Sequence, residues 1–197
     1  GWGVCAPSLP LWEGRSWFDY PQAPGAPGHE GWGRIAAVGE GVTGLASGQR
    51  VAALSYRAHA EYDIARADAV VPLPASLAGQ RVPGEPLGCT VNIFRRSDIR
   101  AGQTVAIVGI GFLGALLAQL AGGAGARVIA LSRRPFSLAF ARQCGAHETV
   151  AMDDHSRVIE RVRELTAGRF CERVIEATGL EWPLQLASEI TAERGRL

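Results

Sequence analysis

Gly109, Gly111 and Gly114 are the residues whose spacing most directly implies chemistry. In a G-x-G-x-x-G turn the first glycine permits a tight turn, the second lets a pyrophosphate approach the backbone, and the third lets a helix pack closely on the preceding strand. The free N–H groups and positive dipole end of that helix then face the phosphates. With 25 glycines in 197 residues the spacing alone is weak. Its setting makes it strong. Residues 105–121 read VAIVGIGFLGALLAQLA, a block of β-branched and small apolar residues, the glycines, and then an Ala/Leu-rich helical segment. Phe112 and Leu113 lie within the turn and join the three glycines as candidate dinucleotide-binding residues.

The end of the next strand, residues 127–131, bears on which dinucleotide. An NAD site usually places Asp or Glu there, about 20 residues past the glycines, to hold the ribose 2′-hydroxyl. This chain places Ser132, Arg133 and Arg134. A 2′-phosphate would gain charge-assisted hydrogen bonds worth about 1.5–3 kcal/mol each, and about 1.4 kcal/mol is already tenfold in affinity. NADP(H) is therefore expected over NAD(H). The alternative is that both arginines form a solvated face. Ala177 and Thr178, which end a later strand before Gly179, complete the candidate cofactor set.

These residues need a scaffold of alternating strands and helices. A helix over 86–100 leads through Ala101-Gly102 into the strand at Val105. Gly122-Gly123 is expected to end the glycine-rich helix, and Gly145 to end a helix over 136–144. A strand over 148–152, a helix over 156–166 and a strand over 173–177 follow. Alternation of this kind predicts a parallel, doubly wound sheet with the ligand where strand order reverses. No element is predicted between Gly179 and Gly195, where a further strand is expected to begin. The uncharged run 105–126 is long enough for a bilayer, which needs about 20 residues. Its glycine breaks and the strand after it fit a buried α/β core better.

Composition narrows the function classes. Hydrophobic residues make up 47% and charged residues 20%, which is ordinary for a soluble globular chain of one large or two small domains. A net charge of +1 without basic tails argues against nucleic acid and for a small-molecule partner. Cys5, Cys89, Cys144 and Cys171 are widely spaced and form no C-x-x-C pair, which favours a reducing, cytoplasmic setting. Cys144 and Cys171 read as packing residues, and His147 and His155 receive no role. Arg157, Glu160, Arg161, Arg163 and Glu164 read as a solvated helix face. Gly1 is not an initiator Met, and the expectation is a fragment cut at both ends, with any targeting signal outside it.

Residues 1–30 are rich in Gly, Pro and Trp and read as loops. Short strands are expected at 35–38, 50–54, 60–64 and 69–73, with turns at Gly39-Glu40-Gly41 and Ala67-Asp68, in a mostly antiparallel β unit. Within it the stretch GHEGWGRIAAVGEGV, with Gly28, His29, Glu30, Gly33, Gly39 and Val42 in register, resembles the signature of zinc-containing alcohol dehydrogenases of the medium-chain dehydrogenase/reductase superfamily. The resemblance extends over the whole chain, from Gly-Val-Cys near the start to the P-L-x-C segment at Pro86 to Cys89 and the dinucleotide fold. It implies a GroES-like antiparallel β domain, partial and spanning 1–90, followed by a truncated Rossmann domain over 91–197.

Spacing alone does not make a metal site of Cys5, His29 and Cys89. The resemblance implies that these three ligate one catalytic Zn²⁺, with Glu30 beside it as a supporting or exchangeable group. Glu85 is the alternate to Cys89, because polyol-type relatives use glutamate in this segment. Thiolate, imidazole and carboxylate are ligands zinc accepts, and three protein ligands leave a position open for substrate. Two departures from the family stand out. The positions that usually carry a hydroxyl and a histidine to pass the alcohol proton hold Pro7 and Pro10, which offer no side-chain donor. Ser8, Tyr56 or His59 are the possible substitutes, unless the alkoxide is solvated directly. The segment from Arg50 through SYRAHAEYDIARADAVV contains no cysteine, so no structural zinc is expected.

The resulting expectation is a zinc-dependent, NADP-preferring dehydrogenase or reductase acting on an alcohol, aldehyde or ketone, homo-oligomeric at full length as its relatives commonly are. A zinc-free reductase of the same superfamily and a non-catalytic NADPH-binding sensor are the alternatives. No membrane or nucleic-acid partner is expected.

Overall fold

The computed structural model describes residues 1–197. The chain divides into two compact units, Gly1–Gly88 and Cys89–Leu197.

In the first unit β1 (Gly31–Arg34), β2 (Arg50–Ala53) and β3 (Val70–Pro72) form an antiparallel sheet in the order β1-β2-β3. Gly31 pairs with Ala53, Arg34 with Arg50, and Val51 with Pro72. The start of the chain runs along the free edge of β1. Trp2 bridges Gly31, Trp32 N–H donates to the Gly1 carbonyl at 2.9 Å, and Gly3 N–H donates to the Glu30 carbonyl at 3.0 Å. A 3₁₀ turn over Ala6–Ser8 and the short helix α1 (Leu9–Trp12) follow. Pro7 and Pro10 are the second residues of these two elements, within the first turn, where proline's missing N–H leaves no intrahelical bond unmade and its fixed φ suits a helix. Residues 1–30 are therefore not loop throughout.

Two strand expectations need correction. The strand expected at 35–38 lies instead at Gly31–Arg34: the ladder with β2 runs from Gly31 opposite Ala53 to Arg34 opposite Arg50, and Ile35 closes it by donating to the Gln49 carbonyl at 3.0 Å and accepting from the Gly48 N–H at 2.8 Å. Residues 60–64 form no strand. The Asp63 carboxylate accepts from the Ser55 hydroxyl and from the Ile64 N–H, closing the segment into a loop that leaves Ile64 exposed. The hydrophobic core of this unit is small: Val51, Ala52, Ala58 and Val82. An apolar groove of about 520 Å³ lies over the sheet and is lined by residues that include Ile35, Leu45, Val51 and Val70.

α2 (Gly84–Arg96) carries the backbone into the second unit; it starts and stops earlier than the expected 86–100. A five-stranded sheet follows, with β4 (Thr104–Val108), β5 (Arg127–Ser132), β6 (Glu148–Ala151), β7 (Cys171–Glu176) and β8 (Thr191–Arg196) all parallel, in the order β6-β5-β4-β7-β8. The connections are α3 (Phe112–Gly123), α4 (Pro135–Gln143), α5 (His155–Leu165) and α6 (Glu181–Glu189). α6 falls where the sequence predicts no element, and β8 begins at Thr191, four residues before the strand expected from Gly195.

β4 is buried on both faces. Side chains alternate across a strand, so Val105 and Ile107 pack with Leu117 and Ala118 of α3, whereas Ala106 and Val108 pack with Val158, Val162 and Leu186 of α5 and α6. All four strand residues are fully buried, and a fully buried Val, Leu or Ile contributes about 1.5–3 kcal/mol. α3 runs through Gly122 and Gly123; the chain leaves it at Gly125, whose φ of 82° only glycine adopts without strain. On α5, Asp154 caps the helix by accepting from the Arg157 N–H at 2.9 Å. Arg161 pairs with Glu164 and Arg163 with Glu160 on its solvent side. The apolar run at 105–126 thus resolves into strand, turn and helix, and no helix is long and apolar enough to cross a membrane.

Candidate functional site

The first unit gathers Cys5, His29 and Glu30, whose ligand-capable side-chain atoms all lie within 4.8 Å of one another. The path of the chain explains the meeting. Gly1 to Gly3 pair along β1, so Cys5 arrives beside the residues that lead into that strand. Glu30 is buried at 8% exposure, and its carboxylate lies against the Cα of Gly3, where a Cβ would collide with it. The His29 ring is held from behind. Its Nδ1 lies 3.0 Å from the Pro27 carbonyl oxygen, which can only accept, so Nδ1 donates there and Nε2 is the nitrogen left to face a metal. This is the usual way a protein sets the tautomer and orientation of a metal-binding histidine. One thiol, one oriented imidazole nitrogen and one carboxylate form a donor set that suits zinc.

Gly3 and Pro27 belong to this site; the sequence marks Gly3 only as part of the Gly-Val-Cys motif and does not mark Pro27. Gly3 falls two residues before a candidate ligand, and Pro27 two residues before another; neither spacing reveals a role without the pairing of residues 1–3 along β1.

Glu85 and Cys89 both lie on α2. They are four residues apart, hence one turn apart on the same helix face, and Cys89 is exposed.

The three substitutes for the missing proton route have different surroundings. Ser8 is buried at 4% exposure, and Tyr56 is 71% exposed. The half-buried His59 packs between Trp2 and Trp12, with ring centroids 4.3 and 5.7 Å away. Its Nε2 lies 3.4 Å from the Gly3 carbonyl oxygen, and its ring edge occupies the space a Cβ on Gly28 would need.

In the second unit strand order reverses at β4, between β5 and β7, and ligands of open α/β sheets bind outside the carboxyl ends of strands at such a point. Gly109, Gly111 and Gly114 lie there, each in a different situation. Gly109 has a φ of 101°, and a Cβ on it would strike the Thr178 methyl. A Cβ on Gly114 would run into the Gly109 carbonyl, so helix and strand approach closely at that pair. A Cβ on Gly111 would meet nothing within 4 Å, leaving open space beside the backbone. Gly111 is the N-cap of α3 and provides no side-chain cap, so the first-turn N–H groups of Phe112 and Leu113 lack the partner a capped helix supplies. Open space at a bare helix N-terminus fits a pyrophosphate.

Two neighbours hold this turn. From the β7 side, the Glu176 carboxylate accepts from Thr178 N–H at 2.6 Å, Thr178 Oγ1 at 2.5 Å and Gly179 N–H at 2.9 Å. That sets Ala177 and Thr178 against Gly109. From the β5 side, Arg134 Nη2 donates to the Ile110 carbonyl at 3.1 Å, and Arg134 N–H lies 3.3 Å from the Oγ of the buried Ser132. Arg133 is exposed. Glu176 escaped sequence reading, although an acid two residues before a Thr-Gly pair at a strand end was a usable signal for such a side-chain-closed turn.

Known proteins resemble the chain along its length. Its residues 1–75 match the alcohol dehydrogenase GroES-like domain, and residues 113–197 match the zinc-binding dehydrogenase family. A sorbitol dehydrogenase of Halalkalibacterium halodurans is 31% identical over 210 residues, covering 90% of this chain and 60% of that protein. A quinone oxidoreductase of Pseudomonas aeruginosa is 33% identical over 188 residues, covering 90% and 57%. An alcohol dehydrogenase from Thermus sp. ATN1, of known structure, superposes with a TM-score of 0.84 at 25% identity, over 99% of this chain and 66% of that one. The chain spans about half the length of the curated relatives it matches, from 40% to 60%.

Proposed function

The chain belongs to the zinc-type alcohol dehydrogenase family of the medium-chain dehydrogenase/reductase superfamily, and we propose that it serves a zinc-dependent oxidoreductase that transfers hydride between an alcohol or carbonyl substrate and NADP(H). The observation that carries this reading is the convergence of Cys5, His29 and Glu30 within 4.8 Å, with the His29 Nδ1 already committed to Pro27. When bound, zinc supplies Lewis acidity toward the substrate oxygen, and the nicotinamide supplies hydride chemistry.

The chain's own residues bind and orient. Cys5 and Glu30 present anionic donors, and the His29 Nε2 presents a neutral one, a set that leaves room for a substrate oxygen. The family resemblance adds Cys89 to the ligands, with Glu85 as its alternate. Gly109, Gly111, Phe112, Leu113 and Gly114 receive the pyrophosphate at the N-terminus of α3, and Ala177 and Thr178 form the facing wall. Ser132, Arg133 and Arg134 end β5 without a carboxylate, which favours a 2′-phosphate over a 2′-hydroxyl.

Zinc content per chain, by elemental analysis of the protein and of its His29→Ala variant, tests the reading. About one zinc in the parent and none in the variant is the expected result. A folded, NADPH-binding parent without zinc would overturn it. That outcome selects a second reading, a zinc-free reductase of the same superfamily, which the likeness to a quinone oxidoreductase and the prolines at positions 7 and 10 support.

A further inference from the structure

His59 touches both of the segments that deliver Cys5 and His29. On one side its backbone is tied to the approach to His29: Ala58 N–H donates to the Gly28 carbonyl at 3.0 Å, and His59 N–H donates to the Gly25 carbonyl at 3.1 Å. The ring edge completes that contact by filling the space a Cβ on Gly28 would need. On the other side the ring packs between Trp2 and Trp12, with centroids 4.3 and 5.7 Å away. These two residues flank Cys5, three positions before it and seven after. The ring's Nε2 lies 3.4 Å from the carbonyl oxygen of Gly3, whose Cα faces the Glu30 carboxylate. The buried hydrophobic residues of this unit, Val51, Ala52, Ala58 and Val82, include none from residues 1–30. Core burial therefore does little to fix Cys5 in place, and the aromatic stack supplies ordering that the core does not.

We propose that His59 is a positioning residue of the zinc site: its ring holds the Cys5 segment against the His29 segment, and it does not carry the substrate proton. This inference rests on the reading of Cys5, His29 and Glu30 as zinc ligands. Tilted aromatic rings are held by packing and by the ring quadrupole, neither of which needs an imidazole nitrogen. Nε2 faces a backbone carbonyl, which has no proton to exchange. A site whose ligands are already ordered binds more tightly, because less freedom is lost on binding. Loss of the ring therefore lowers zinc affinity, whereas loss of its nitrogens alone does not.

Zinc dissociation constants, measured by competition with a chromophoric chelator on the parent, His59→Phe, His59→Ala and Trp12→Leu, test this. His59→Phe keeps an aromatic ring in the stack and is expected to stay within about twofold of the parent. His59→Ala is expected to bind zinc about 10–100-fold more weakly, the usual cost of disturbing the groups around a metal's ligands. Trp12→Leu is expected to bind it about two- to tenfold more weakly, the worth of one aromatic pair. The pH profile of turnover in His59→Phe should keep the parent's shape. Zinc affinity retained in His59→Ala, or lowered as far in His59→Phe as in His59→Ala, overturns the inference alone. So does a changed pH profile in zinc-loaded His59→Phe, which would assign His59 to proton transfer. A folded parent that binds no zinc overturns the zinc reading and this inference together. Trp12 is 51% exposed, so Trp12→Leu stays folded and readable even where His59→Ala does not fold, and zinc affinity equal to the parent's in that variant overturns the inference.

Discussion

The Nδ1 of His29 donates to the carbonyl of Pro27, two residues earlier in the chain, at 3.0 Å. The ring's other nitrogen is therefore the one offered to a metal. Zinc titrated into metal-free protein and followed by long-range ¹H–¹⁵N NMR is expected to shift the Nε2 resonance and to leave the proton on Nδ1. Loss of the Nδ1 proton on zinc addition would assign the ligand to the opposite nitrogen.

Gly3 is where the cluster is most sensitive to a small change. Its Cα faces the Glu30 carboxylate, and a methyl group there occupies the carboxylate's place. Gly3→Ala is expected to weaken zinc binding about 10–100-fold, the usual cost of disturbing the groups around a metal's ligands. Dinucleotide affinity should not change. An unaltered zinc Kd would remove Gly3 from the site.

Gly109 and Gly111 should separate stability from binding. Gly109→Ala combines a φ of 101° with a collision at Thr178, and strain of this kind costs about 1–3 kcal/mol. Gly111 is extended, at φ −102° and ψ −156°, with open space at its Cβ position. Gly111→Ala should change stability by less than about 0.5 kcal/mol and still weaken NADPH, because its methyl enters the space left for the pyrophosphate. Thermal denaturation and NADPH titration of both variants check this; equal loss of stability in the two contradicts it.

Cys171 predicts an alkaline dependence. Burial, reinforced by the neighbouring Glu172 carboxylate, pushes its thiol up to about 12, whereas an unfolded thiol titrates near about 8.5. With the folded value raised, this contribution to stability is fully present below about pH 8.5 and is lost as pH rises toward 12. Denaturant midpoints should fall from about pH 9 upward in the parent, and more shallowly in Cys171→Ala. Identical slopes assign the loss to other groups.

The legible parts of this fold were those whose cause is local. The strand, glycine turn and helix at β4 and α3 follow from a run of buried residues and from glycine spacing, both expressed within about one turn of chain. The same holds for α4, which Gly145 was expected to end, and for α5, whose start the structure fixes at the Asp154 cap. The reading failed at 60–64, which has the right residue types for a strand but no partner, and at β1, which lies four residues earlier than expected because its register against β2 pairs Gly31 with Ala53. It also missed α6, whose helix opens with a proline in its first turn, at Pro183, and placed the last strand four residues late, because β8 carries four charged or glycine residues in six positions and forms against the edge that β7 offers.

By itself the sequence determined which chemistry was on offer: a phosphate-binding turn, a basic strand end, and a family signature carrying a thiol, an imidazole and carboxylates. Only the tertiary structure decided which of these groups meet. The first three residues pair along β1 and so bring Cys5 to His29 and Glu30, and Arg134 crosses from the end of β5 to the glycine turn while Arg133 does not. The physical reason is that spacing governs contacts within a turn or a strand, whereas contacts between distant residues depend on register and chain path, which packing of the whole unit sets.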